Sequence, residues 1–173
     1  EILTVTFTNK ASKEMKFRAE SLSNFDASSW WLGTFHSIGA RMLRKNPEAA
    51  GLKNQFTIID TDDQIRLLKQ ILIAENIDEK RWPAKILISV IQRWKDRGLN
   101  PENVDKRGSD FADNRGSILY KIYQDRLQIL NAVDYGDLLL HNLNIFKEYP
   151  AILKKYQNQF KFILVDEYQD TNT

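Results

Sequence analysis

The sequence predicts an α/β fold, a parallel sheet interrupted by a long helical block. Three observations carry that expectation. Ile2 to Phe7 and Phe160 to Val165 are short apolar, β-branched runs that read as buried strands. Between them, apolar residues recur mostly at spacings of three and four, the period of a helix face. Strands separated by helices imply parallel pairing, since antiparallel neighbours need only a tight turn.

The elements follow in order. After the first strand, Thr8 or Asn9 caps a helix from about Lys10 to Leu22, with Ala11, Met15, Ala19 and Leu22 as its apolar stripe. Asn24 to Ser29 reads as loop, and Trp30 to Thr34 as a second strand. A helix from about Ser37 to Lys45 sets Ile38, Met42 and Leu43 against Arg41, Arg44 and Lys45. Phe56 to Ile59 fits a short strand or an extended entry. Asp60 or Thr61 then caps a helix bearing Ile65, Leu68 and Leu72. Pro83 opens the next, carrying Ile86, Leu87, Val90, Ile91 and Trp94, and Gly98 stops it. Leu99 to Asn114 is irregular. Helices follow with Ile118, Ile122 and Ile129 on one face, then Leu139, Leu143 and Phe146 after an Asp134 cap, then Ile152, Leu153 and Tyr156 after Pro150.

Composition narrows the classes. At 173 residues with 42% hydrophobic and 28% charged, 7 Gly and 4 Pro, the chain is neither collagen-like nor low-complexity, and it can bury a core without staples. With 0 Cys, disulfides and thiolate chemistry are excluded, which fits a reducing compartment. His36 and His141 are too far apart in sequence to suggest a metal site. No apolar run is long enough for a membrane helix. The net charge of +2 does not by itself argue for nucleic acid. The chain starts at Glu1 inside a strand pattern and ends just after an acidic motif, so it is expected to be an internal piece of a longer protein.

The strongest local signal is Phe162-Ile-Leu-Val-Asp166-Glu167. It puts a carboxylate at the carboxyl end of a parallel strand, the edge where open α/β sheets bind ligands. There Asp166 could hold Mg²⁺ through water, and Glu167 could orient or deprotonate an attacking water. Four apolar residues before Asp-Glu also fit an ordinary strand end. The full run from Asp166 to Asn172 is far more specific. A complete nucleotide site also needs a phosphate-cradling Gly-x-x-x-x-Gly-Lys-Ser/Thr loop. No two of the 7 Gly stand five apart, so that loop is absent.

Thr6-Phe7-Thr8-Asn9-Lys10-Ala11 sits where a strand turns into a helix. Helix N-termini bind phosphate, Asn9 and Lys10 add a donor and a charge, and Phe7 offers a ring to a base. A buried Phe, a capping Asn and a solvated Lys would account for the same residues. Gly33-Thr34-Phe35-His36-Ser37 repeats the logic, with Arg41 one turn later, and a plain helix cap is the alternative there too. Trp30, Trp31, Trp82 and Trp94 read as core. Asp134-Tyr135-Gly136-Asp137 reads as a helix cap. Lys53, Lys80, Arg81, Lys95, Arg97, Lys106 and Arg107 read mostly as solvated surface.

Together these segments resemble the UvrD/PcrA/Rep family of superfamily-one DNA helicases. Four runs match in order: Thr6 to Met15, Gly33 to Ser37, Val133 to Leu138 and Ile163 to Asn172, and Phe56 to Asp60 with Asp63 and Gln64 look like the family's insertion. The resemblance implies a partial RecA-like (P-loop NTPase) sheet with a large all-helical inserted subdomain. Residues 1–36 and 158–173 would be two parts of the first motor domain, and residues 37–157 the insertion. It implies 3′ to 5′ movement on single-stranded DNA and unwinding at single-strand/duplex junctions, using ATP and Mg²⁺, in the cytoplasm on the nucleoid. The implied DNA contacts are Phe7, Thr8, Asn9, Lys10, Thr34, Phe35, His36 and Arg41. Asp166 would serve the metal, Glu167 the water, and Gln169 the coupling to neighbouring groups. The phosphate loop, second motor domain and arginine fingers are not in this sequence. The chain alone is therefore expected neither to hydrolyse ATP nor to unwind DNA, and its sheet to have open edges. A passive DNA- or protein-binding helical module is the rival reading. A helicase–nuclease subunit of the RecB or AddA kind ranks lower, since those carry larger insertions.

Overall fold

The computed structural model describes residues 1–105 and 109–166. Lys106, Arg107, Glu167 and Gln169 lie outside the described residues. The chain divides into two compact units, Glu1–Ala50 with the stretch from His141 onward, and Gly51–Leu140.

The first unit is built on a parallel sheet of β1 (Ile2–Thr6), β2 (Trp31–Thr34) and β5 (Phe162–Val165), in the order β2-β1-β5. The register pairs Leu3 with Trp31 and with Ile163, and Val5 with Gly33 and with Val165. Alternation then sends Leu3, Val5 and Trp31 to one face. There they form a core with Ile38 and Met42 of α2 (Phe35–Lys45) and with Tyr156 of α7 (Pro150–Gln159) and Phe160. Both helices thus pack with the sheet, and the second compact unit runs from Gly51 to Leu140.

The other face carries Ile2, Thr4 and Thr6. It meets α1 (Asn9–Ser23), which buries none of its own residues. Leu22, expected in the stripe of that helix, is 88% exposed. β5 corrects the expectation of a buried strand: Phe162, Ile163 and Leu164 are all more than half exposed, because β5 is an edge with little packed on it.

In the second unit β3 (Thr57–Ile58) pairs in parallel with β4 (Ala132–Val133), the latter unforeseen from sequence. Around them α3 (Thr61–Ala74), α4 (Ala84–Asp96) and α5 (Gly116–Ile129) share one apolar core. Asp60 caps α3 by accepting from Asp63 N at 2.9 Å, as the sequence suggested. On α5 the buried side is Leu119, Tyr120, Tyr123 and Leu127. Of the Ile118, Ile122 and Ile129 stripe, Ile118 and Ile129 face outward at 53% and 79% exposure, and Ile122 is half-buried against the core. Two helical periods compete along α5, and the aromatic one wins because each Tyr has a polar partner for its hydroxyl: Tyr120 donates to Leu99 O and Tyr123 to Asp134.

Lys95 is a second correction, being buried rather than solvated. Its ammonium donates to Asp134 at 2.7 Å and Asp137 at 2.6 Å, and the three side chains are at most 1% exposed. Asp134 and Asp137 cap α6 (Tyr135–Glu148) reciprocally, each accepting from the other's backbone N–H. The cap read from sequence is therefore present, with a buried cation at its centre. On α6 itself, Leu138, Leu140 and Ile145 are buried, while Leu139 and Leu143 are each 40% exposed. Among the described residues no helix is long and apolar enough to cross a membrane.

Candidate nucleic-acid interface

Both β1 and β2 end at the carboxyl edge of the sheet and turn directly into helices. Thr8 is the N-cap of α1, its hydroxyl accepting from Ala11 N at 3.1 Å. Thr34 is the N-cap of α2, accepting from Ser37 N at 3.2 Å, while Ser37 Oγ donates to Thr34 O at 2.9 Å. The cap of α1 is thus Thr8 rather than Asn9, and that of α2 is Thr34 rather than Ser37. Gly33 suits the second turn: a Cβ there would collide with Ser37 Oγ, the hydroxyl bonded to Thr34 O.

These two turns bring Phe7 and Phe35 together, with ring centroids 5.0 Å apart and planes tilted by 48°. Phe7 is 36% exposed, while Phe35 is half-buried against the core of the sheet unit, so Phe7 presents the aromatic surface and Phe35 backs it. Asn9, Lys10 and His36 are exposed beside it on the first turns of α1 and α2. The positive ends of two helix dipoles and a partly exposed aromatic pair therefore share one edge.

Arg41 is not brought to this edge. Its guanidinium donates to Trp30 O at 2.7 Å and Ser29 O at 3.0 Å, and stacks 4.0 Å from the Trp31 ring centre, at the opposite end of β2. Trp31 and Trp94 are core as expected, Trp82 packs against the core, and Trp30 is 36% exposed. A cavity of about 870 Å³ lies between α1 and the sheet, lined by Ile2, Thr4, Met15, Leu22 and Leu164 among others, and Arg41 borders it while Phe7 and Phe35 do not.

Asp166 follows β5 at the same carboxyl edge. Its N–H donates to Val5 O at 3.0 Å, extending the ladder one step beyond the strand, and its side chain is exposed. Mg²⁺ takes one or two carboxylates and completes its shell with phosphate oxygens and water. A single exposed carboxylate in this place fits that donor set. Among the described residues no three acidic or His groups come together as a metal cage. The sequence given carries no Gly-x-x-x-x-Gly-Lys-Ser/Thr loop to cradle phosphate.

Thr6 was not singled out from sequence. It is fully buried, and among the described residues its hydroxyl has no hydrogen-bond partner. The available signal was a Thr at the last position of a buried strand, ahead of a polar turn.

A family model described as the UvrD/REP helicase N-terminal domain matches residues 1–173. The chain is 43% identical over 171 residues to a protein from Staphylococcus epidermidis named ATP-dependent DNA helicase PcrA, covering 99% of this chain and 24% of that protein. It is 46% identical over 174 residues to a probable DNA helicase II homolog from Rickettsia felis, covering 99% of this chain and 26% of that one. The DNA helicase II of Rickettsia typhi is 45% identical over 175 residues. The chain thus spans about a quarter of the length of these curated relatives.

Proposed function

This chain belongs to the UvrD/REP helicase family through its N-terminal domain, and from that premise we propose that it forms part of the first motor domain of an ATP-driven DNA helicase. The protein would move 3′ to 5′ along single-stranded DNA and open duplex at the junction ahead of it, on chromosomal DNA in the cytoplasm. The sheet unit is read as motor domain and the 51–140 unit as its helical insertion. The remaining helicase domains are the partners this reading requires.

The observation that supports the reading most is Phe7, exposed and backed by the half-buried Phe35, between two helix N-termini at the sheet's carboxyl edge. Every base has a π-face, so ring stacking grips single strands without regard to sequence. The first-turn amides of α1 and α2, with Asn9, Lys10 and His36, suit the phosphates on either side. Thr8 and Thr34 hold those turns in shape through their caps, a positioning role. Arg41 braces β2 and contributes to the track indirectly.

Asp166 would hold Mg²⁺, which when bound neutralises charge developing on the phosphates. Glu167 is assigned to orienting the water and Gln169 to coupling. The chain has no loop to cradle phosphate, so ATP turnover by the chain alone is expected to be undetectable. A phosphate-release assay checks this, and a rate abolished by Glu167→Gln would contradict it.

The reading is tested by anisotropy of a labelled single-stranded oligonucleotide across a salt series. Affinity should fall linearly on a log–log plot, as phosphate contacts release counterions. Phe7→Ala should lose about 1–3 kcal/mol, the worth of one base stack. A chain that is folded by circular dichroism yet binds no oligonucleotide at low salt would sink the reading, as would Phe7→Ala binding like wild type.

A further inference from the structure

Thr34, Thr6 and Asp166 occupy one row across the sheet. The register pairs Thr6 with Thr34 directly. Val5 pairs with Val165, and the hydrogen bond from Asp166 N to Val5 O carries the ladder onward, setting Asp166 beside Thr6 on the other side. Residues in one row share a face, and their Cβ atoms stand about 5 Å apart. A hydroxyl and a carboxylate at that spacing can meet by rotation about their side-chain bonds.

The three hydroxyl-bearing residues at this edge differ in what they do. Thr34 caps α2 and Thr8 caps α1. Thr6 is as buried as any residue in the chain, yet among the described residues its hydroxyl donates to nothing and accepts from nothing. A buried hydroxyl without a partner lowers stability, and Val would fill the same space without that penalty. Thr6 also connects directly to the aromatic turn, being followed by Phe7 and then by the cap residue Thr8.

We propose that Thr6 is a positioning residue, whose hydroxyl donates to the Asp166 carboxylate when the nucleotide site is assembled and so ties that carboxylate to the DNA-facing turn. The inference rests on the motor-domain reading above and deepens it. It assigns a means by which the nucleotide at Asp166 and the base at Phe7 report on each other, through Thr6, which directly precedes Phe7.

The test uses the full-length protein carrying this chain, with Thr6→Val and Thr6→Ser. Oligonucleotide dissociation constants are measured with and without Mg²⁺ and a non-hydrolysable ATP analogue. Wild type should show different constants in the two conditions, Thr6→Val a ratio within about twofold of one, and Thr6→Ser a ratio near wild type, as expected when two sites share a coupling free energy. DNA-stimulated kcat should fall by about 10- to 100-fold in Thr6→Val, the usual loss when a group supporting a metal carboxylate is removed, and recover in Thr6→Ser. The thermal midpoint of Thr6→Val should not fall, since the change removes an unpaired polar group.

A wild-type ratio of one, a Thr6→Val variant coupled like wild type, or a Thr6→Ser variant as impaired as Thr6→Val each overturns the proposal. A drop in kcat that tracks a drop in thermal midpoint overturns it in favour of a packing role. Full-length wild type without DNA-stimulated turnover would instead sink the motor-domain reading, and this inference with it.

Discussion

Lys95→Met is expected to destabilise the 51–140 unit by about 3–5 kcal/mol, the usual cost of stranding buried charge by deleting its partner. Wild type holds one ammonium between two carboxylates, with side chains at most 1% exposed. Six donors converge on the four carboxylate oxygens: Lys95 twice, Tyr123 OH, Gln124 Nε2 and the backbone N–H groups of Asp134 and Asp137. Met matches the Lys stem in volume, so the change removes charge and two hydrogen bonds with little loss of packing.

The loss should depend on pH. Burial pushes the Asp134 carboxyl above its ordinary range and the charge of Asp137 pushes it further, while Lys95 pulls it down. Removing Lys95 leaves burial and the Asp137 charge pushing up, opposed by the hydrogen bond from the Asp137 backbone N–H. A carboxyl raised in the folded state binds protons there more readily than in the unfolded chain, so stability falls as pH rises through the interval between the two values. The gap between Lys95→Met and wild type should therefore be widest near pH 7 and narrow as the pH is lowered toward the unfolded-state value. Urea unfolding at pH 7 and pH 5 measures it. Combining Lys95→Met with Asp134→Asn and Asp137→Asn should recover most of the loss, because Asn still caps and no charge is left unpaired. A single variant as stable as wild type at pH 7, or one whose deficit grows at pH 5, would show that the cluster is not charged as described.

What sequence could reveal divides along the same line between local and distant causes. The strands β1, β2 and β5 and the caps at Asp60 and Thr8 follow from neighbours a few residues away, and these were legible. So was the joint presence of Phe7 and His36 at strand ends, because a β-α-β order in a parallel sheet brings successive carboxyl ends to one edge. Lys95 was not legible. Its partners lie 39 and 42 residues away, and an isolated Lys on a helix is nearly always solvated. The Ile118 stripe misled for a related reason: periodicity marks two faces of α5 as apolar, and only the positions of Leu99 O and Asp134 decide between them. β5 misled because a Phe-Ile-Leu-Val run reads as buried whatever the sheet beside it supplies. Arg41 looked like a phosphate ligand from its place on α2. The carbonyls that hold it precede β2, and nothing in a helix pattern reveals them.

That position of Arg41 makes Trp31→Ala the second large expected effect, a loss of about 3–5 kcal/mol from the sheet unit, as for other buried aromatic truncations. Trp31 is 5% exposed and meets Tyr156 and Phe160 edge-on, at 6.2 and 5.1 Å between ring centres. Arg41 and Lys45 lie over its ring at 4.0 and 4.8 Å. The indole thus joins β2 to α2 and α7, the two helices on its face of the sheet, from the strand's first residue. Three residues later β2 delivers Thr34 to the cap of α2, and Phe35 to its partner Phe7. Without the indole, β2 loses its anchor and Arg41 its stacking surface, so the ring pair should lose its fixed geometry. Oligonucleotide affinity should then drop by an amount comparable to Phe7→Ala, about 1–3 kcal/mol, although Trp31 lies at the far end of the strand from the proposed DNA track. Trp31→Phe keeps the ring–ring contacts and weakens the cation stacking, so it should cost only about 1 kcal/mol and leave most of the affinity. Hydrogen exchange at the β1 and β2 amides reads the stability, and anisotropy of the labelled oligonucleotide reads the track. Wild-type protection in Trp31→Ala would refute the anchoring role. Lost protection with unchanged oligonucleotide affinity would instead show that the Phe7–Phe35 pair does not depend on β2 for its position.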